Sequence, residues 1–206
     1  MPDAHFNETL ASRDDMLRQP KCIRRWAWTM CAGLSLSGAV LAADNCQVHA
    51  GHAQLDYGVQ YRQSILGQPA SALGYSLGKR VVSVSVVCKT PVRMAIFLRG
   101  DALNERAFRF GPQGVLSVVA GDANLDGRSV ALGHVEHAGQ QPSEQAGKVS
   151  LHPGTGIVTL EQGVPATGSR LALQLELNPV IPRTSIEVLN NESDWSSSHF
   201  IELVPF

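Results

Sequence analysis

A chain of 206 residues with 17 Lys+Arg, 18 Asp+Glu, 19 Gly, 11 Pro and 4 Cys, 44% hydrophobic and 6% aromatic, has the make-up of one globular domain or two small ones. A formal net charge of −1 leaves no positive excess to hold a phosphate backbone, which excludes nucleic acid as the main partner, and 17% charged residues is too few for a disordered chain or a coiled coil. Gly and Pro break the apolar residues into short pieces, so that a core can form while no second apolar run reaches the roughly 20 residues that a spanning helix needs.

The first 43 residues are expected to be a cleaved signal peptide. Lys21-Cys22-Ile23-Arg24-Arg25 is basic, and Trp26 to Leu41 is apolar or small and free of charge. Small residues at Val40-Leu41-Ala42 or Leu41-Ala42-Ala43 suit the peptidase, which starts the exported chain near Ala43 or Asp44 and leaves a single domain over 44–206. Gly33 and Gly38 interrupt the stretch, against a membrane anchor, and Asp44-Asn45 separates Ala43 from Cys46, against a lipoprotein. Asp14 and Asp15 are out of place at the start of a signal, and Met16 is the more typical first residue. Removing the signal takes Cys22 and Cys31 with it. The two remaining thiols, Cys46 and Cys88, should pair in an oxidising compartment.

The exported chain is expected to be all strand. Val82, Val84, Val86 and Cys88 alternate with Ser83 and Ser85, and after Lys89-Thr90-Pro91 come Val92, Met94, Ile96 and Leu98 with Arg93 and Arg99 on the other side. This pair is expected to be a hairpin. Weaker strands are expected at Ala53 to Tyr61, Phe108 to Phe110, Val115 to Val119, Val130 to Val135 and Ile157 to Leu160, with an exposed loop from Gly139 to Gly147. Leu171, Leu173, Leu175 and Leu177 alternate until Asn178-Pro179, which is expected to stop the run. The final segment, Ser198 to Phe206, places Ile201 and Leu203 on one face and Glu202 on the other. The pattern is expected to give a β-sandwich with one disulfide, and an apolar last strand with nothing after it to cover the neighbouring position is expected to expose an unpaired edge.

Cys46, Leu55-Asp56-Tyr57-Gly58, Leu77, the valine strand closing on Cys88 and Thr90-Pro91-Val92 together resemble the fimbrial-like proteins of the DUF1120 family and, more distantly, subunits of chaperone–usher pili. Phe108-Arg109-Phe110-Gly111 and the ending Phe200-Ile201-Glu202-Leu203-Val204-Pro205-Phe206 add to the likeness. The resemblance implies an immunoglobulin-like, pilin-type sandwich that lacks its last strand, tied by a disulfide between its first and second strands. It further implies a fimbrial or adhesive subunit that passes through the periplasm to the cell surface, with a periplasmic chaperone, an outer-membrane usher, other pilus subunits and a host or surface receptor as partners. By donor-strand complementation, a β-augmentation, a foreign strand fills the missing place. On this reading Phe200, Ile201, Leu203 and Phe206 form the strand-accepting edge and chaperone contact, with the Phe206 carboxylate as an anchor for basic residues. Two departures narrow it. Only Asp44 and Asn45, with Ala43, precede Cys46, too few for a donor strand, which points to a terminal subunit. Pro205 stands where pilins carry a penultimate Tyr, and the Asp-Asn-Arg element frequent in the family is not seen at Arg99-Gly100-Asp101-Ala102.

No catalytic motif and no cofactor is expected. There is no His-Glu-x-x-His and no thiol left free by the pairing. Asp122-Ala123-Asn124-Leu125-Asp126-Gly127 opens like a calcium loop, but Gly133 holds the twelfth position, so an Asp-Gly hairpin turn is the expectation. His49/His52 and His134/His137 are spaced to face opposite sides of a strand and are not assigned a metal. Trp195, set in a polar loop before the last strand, is the candidate ligand contact, against the more frequent role of covering the end of the sandwich. The alternative function is a self-contained secreted or periplasmic sandwich that binds a glycan or small ligand.

Overall fold

A computed structural model describes residues 45–50, 54–188 and 192–206, with the side chains of 54, 55 and 192 not described. The segment 1–43 expected to be a signal peptide, Asp44, His52 and Ala53 lie outside the described residues. β1 (Cys46–Ala50) and β2 (Gln54–Tyr61) lead into a one-turn helix α1 (Arg62–Leu66), the short β3 (Tyr75–Ser76) and the 21-residue β4 (Arg80–Gly100). Next come β5 (Ala102–Asn104), β6 (Ala107–Phe110), β7 (Gly114–Leu125), β8 (Arg128–Ser129), β9 (Ala131–Val135), β10 (Gln145–Ala146), β11 (Lys148–Leu151), β12 (Gly156–Glu161) and β13 (Val164–Pro165). β14 (Thr167–Ile181), the short helix α2 (Arg183–Val188) and β15 (Glu192–Pro205) complete the order. Among the described residues the fold is an all-β sandwich of antiparallel strands with one disulfide, Cys46–Cys88.

β4 is the strand on which the sandwich is built. The hydrogen-bonded path runs β10-β9-β12-β4-β14-β7-β6-β5. The first half of β4 pairs with β14 and with β1, where Cys46 sits opposite Cys88; its second half pairs with β12 and β15. The expected hairpin at Lys89-Thr90-Pro91 is therefore corrected to one continuous strand. Pro91 is tolerated because the ladder to β14 slips there: Gly168 is opposite Val92 and Arg170 opposite Val87, which leaves residues 88–91 without a place in it. On the β1 side, the Asn45 side chain takes up the slack. Its Oδ1 accepts from the Thr90 backbone N–H at 3.1 Å and its Nδ2 donates to the Thr90 carbonyl at 3.3 Å, so an amide side chain extends the pairing by one place.

The alternation read from the sequence sets the core. Val84, Val86, Cys88, Leu171, Leu173, Leu175 and Leu177 face inward from one side of the sandwich, and Met94, Ile96, Leu98, Leu132 and Ile157 from the other, around the buried Phe108 and Phe110. Asn178-Pro179 does not end its strand. β14 continues through it to Ile181, with Pro179 opposite Leu116 and its carbonyl accepting from Leu77 N–H at 3.2 Å. A second apolar cluster, missed by a reading that looked for one buried face, gathers Ala95, Phe97, Val135, Val158 and Leu160 with Val204 and Phe206 against them. Its signal was the unbroken run Met94 to Leu98, apolar on both faces of the strand.

The Asp-Gly turn lies at Asp126-Gly127, both with positive φ (50° and 85°), between β7 and β8. The Asp126 carboxylate accepts from the backbone N–H of Ser169 (3.1 Å) and Arg170 (2.7 Å), beside the slip in β14. An acidic side chain that looked like a metal ligand thus satisfies backbone donors that the slipped ladder leaves over.

The disulfide closes a separation of 42 residues and fixes an edge strand to the central one. Reduction, or the double change Cys46→Ser and Cys88→Ser, is expected to lower stability by about 2–4 kcal/mol. Denaturant unfolding with and without reductant measures this, and coincident midpoints would show that β1 stays docked without the bond.

Candidate strand-accepting edge

β15 is one strand with two partners. Glu192 to Ser198 pair with β2, with Ser198 opposite Gln54, and His199 to Pro205 pair with β4, with His199 opposite Gly100 and Pro205 opposite Met94. The first half is held firmly. Trp195 is completely buried and stacks on Phe110 (centroids 5.8 Å, 27° between planes), and Tyr57 of β2 meets Phe110 edge-on at 5.5 Å. The indole lies so close to Gly111 and Gly114 that a Cβ on either would press against its ring.

This placement corrects the candidate ligand contact. Trp195 lies within β15 rather than in a loop, because the strand begins at Glu192 rather than at Ser198. A fully enclosed indole presents no face to a ligand. The polar neighbours Asp194 and Ser196 disguised it, since in a strand they alternate with an inward residue.

The second half differs. Phe206 N–H donates to the Arg93 carbonyl at 3.0 Å. In an antiparallel ladder the residues at alternate positions share this direction, so Phe200, Glu202 and Val204 address β4 while His199, Ile201, Leu203 and Pro205 turn their backbone groups the other way. Among the described residues no strand pairs with that outer edge. Pro205 falls on it, so its missing N–H costs the ladder to β4 nothing and marks where the edge stops offering donors.

Side chains follow the same alternation and divide the four expected edge residues. Ile201 and Leu203 pack, half-buried, against the main core. Phe200 (62% exposed) and Phe206 are on the opposite face: Phe206 joins Val204 on the second apolar cluster, and Phe200 stands in solvent beside Arg99. On that face Glu202 forms an ion pair with Arg99 at 2.7 Å, and the Arg99 guanidinium lies 4.8 Å above the Phe97 ring.

β15 approaches β1 without pairing to it, and the half-buried Cys46 and Val48 of β1 pack on the same core as Ile201 and Leu203. Two strand edges thus flank a seam of incompletely covered apolar side chains. Such an arrangement supplies a template of backbone donors and acceptors and an apolar floor. His199, at the head of the free edge, is buried, with Nε2 2.9 Å from Ser197 Oγ and Nδ1 without a partner among the described residues. Burial lowers its pKa from the usual 6.5, while the charge of Asp101 acts in the opposite sense. Of the other histidines, His49 is exposed on β1, His137 is exposed after β9, and His134 lies against His152 (centroids 6.1 Å) rather than beside His137.

No protein-family model matches the chain. Among curated proteins it is similar to the "Putative uncharacterized protein YhcE" of Escherichia coli (strain K12), 25% identical over 154 residues, which are 71% of this chain and 82% of that protein. That name states no activity.

Replacing Trp195 by Ala is expected to cost about 3–5 kcal/mol, because it removes the aromatic that clamps the fixed half of β15. Chemical denaturation gives the value. A loss under about 1 kcal/mol would mean that the Phe110 stack does not anchor the strand.

Proposed function

We propose that this chain is a fimbrial-type subunit, structural or adhesive, exported to the periplasm and there completed by a β-strand from another polypeptide. The donor is first a periplasmic chaperone and then a neighbouring subunit assembled through an outer-membrane usher. The observation that carries this is the outer edge of His199–Pro205, unpaired among the described residues and lying over half-buried Ile201 and Leu203. An added strand would bond to the backbone of His199, Ile201 and Leu203 and bury alternate side chains in the seam beside Cys46 and Val48. No bond is made or broken. The likeness of Cys46, Tyr57-Gly58, Thr90-Pro91-Val92 and the terminal strand to fimbrial-like proteins supports the same reading.

Produced alone in the periplasm, the chain is expected to aggregate or be degraded, and to be rescued by a co-expressed chaperone or a synthetic β-strand peptide. Leu203→Ala should weaken the added strand by roughly tenfold or more, from about 1.5–3 kcal/mol of lost burial. Phe200→Ala, on the opposite face, should change it by less than about twofold. Equal effects of the two substitutions would contradict the groove.

A second reading, a self-contained module for a glycan or small ligand, is favoured by a cleft of about 770 Å³ bordered by Asp101, Pro153, Ser196, Ser198 and the exposed ring of Phe200. Reversible refolding of the monomer with no donor, together with a saccharide-dependent rise in melting temperature, would select it over strand acceptance.

A further inference from the structure

β15 changes partner between Ser198 and His199, so the first residue of the free edge is a titratable one. The His199 ring is turned inward, 8% exposed, and meets Phe108 edge-on at 5.3 Å. It fills the space over Gly100 so closely that a Cβ there would run into Nδ1. Its hydrogen bonding is incomplete. Nε2 has the Ser197 hydroxyl at 2.9 Å, and Nδ1 is buried with no partner among the described residues. A neutral imidazole leaves one nitrogen unmatched. An imidazolium carries two N–H donors and finds one acceptor, Ser197 Oγ, inside an apolar wall.

The groups packed around the ring supply little to hold a charge. Phe108 of β6 and Gly100 of β4 are uncharged, and Ser197 on its own strand is neutral. Arg99 is on the other face of the ladder, engaged with Glu202, and Arg109 is exposed on β6 between the two buried phenylalanines. Asp101, exposed just beyond the end of β4, is the anion whose field reaches the ring, and its effect is smaller than that of burial. A proton on His199 is therefore better accommodated if the ring swings outward towards Asp101.

We propose that His199 is a pH latch on the strand-accepting edge: neutral, it holds the start of that edge flat against Gly100; protonated, it leaves its site and lifts β15 from β4. The inference rests on the strand-acceptance reading and adds its regulation: an added strand is bound at neutral pH and released in acid. The sign follows from linkage. The folded chain binds this proton less readily than the unfolded chain, so the stability that the neutral ring contributes is intact above about 6.5 and declines as pH falls from there towards the lower folded value.

The test uses the full exported chain and a lysine-flanked synthetic peptide that alternates valine with threonine. Binding is measured near about pH 7.5 and about pH 5.5, beside NMR titration of the His199 ring. The wild type should bind more weakly at the lower pH by up to about tenfold, the factor by which a group of ordinary pKa 6.5 is protonated there. His199→Gln, which keeps a polar tip for Ser197 and cannot ionise, should bind with no such dependence. Equal wild-type binding at both pH values, or the same dependence in the variant, overturns the latch and leaves strand acceptance standing. No binding at either pH overturns both. Should the variant not fold, the wild-type ring decides: a His199 pKa at or above 6.5, or an unchanged Glu202 amide protection factor in acid, contradicts the latch, and a pKa below 6.5 with a Glu202 protection factor that falls in acid supports it.

Discussion

An antiparallel strand has two edges, and a backbone group on either one must find a partner or water. In β15 this requirement is met unevenly. Its first seven residues have β2 along one side and the Trp195–Phe110–Tyr57 packing beneath them, whereas its last seven are, among the described residues, paired to β4 alone. The side chains that accompany the outward backbone groups of that half are Ile201 and Leu203, which sit against the core without being covered by it. The backbone and the apolar surface are incomplete in the same place. A single added strand would satisfy both.

The rest of the molecule keeps this opening in shape. A 21-residue central strand serves both faces of the sandwich, so the positions of β1 and β15 are set by one backbone. β1 is held by the disulfide and by the Asn45 amide on Thr90, and without them an edge strand of five residues would have little to keep it in place. Asp126, bonded to Ser169 and Arg170, sets the irregularity in β14 that lets β4 turn from one face to the other past Pro91.

Much of this was legible in the sequence because period-two alternation in β-branched residues is a local signal. The Val82–Cys88 and Leu171–Leu177 patterns and the inward Ile201 and Leu203 stand where alternation put them, and the Cys46–Cys88 bond where the count of thiols put it. Where strand ends differ from the expected ones, the cause is Pro and polar residues inside strands. Pro91 and Pro179 lie inside strands because slipped or one-sided pairing asks no N–H of them, and such slips depend on partners distant in sequence. Trp195 was hidden in the same way among serines and acids. The family resemblance groups Phe200 and Phe206 with Ile201 and Leu203, whereas parity sets their side chains on the opposite face. Nothing local announces the burial of His199, which arises from Gly100, 99 positions earlier, offering no side chain of its own.

The outer edge of β15 is most directly tested by residue-resolved amide exchange over His199–Pro205, with and without a β-strand peptide. The account requires Ile201 and Leu203 N–H to exchange quickly in the isolated chain and to become protected once the peptide is bound, while Glu202 and Val204, directed at β4, are slow in both states. Protection of Ile201 and Leu203 in the isolated chain, equal to that of Glu202 and Val204, would mean that the edge is already filled, and would contradict the account.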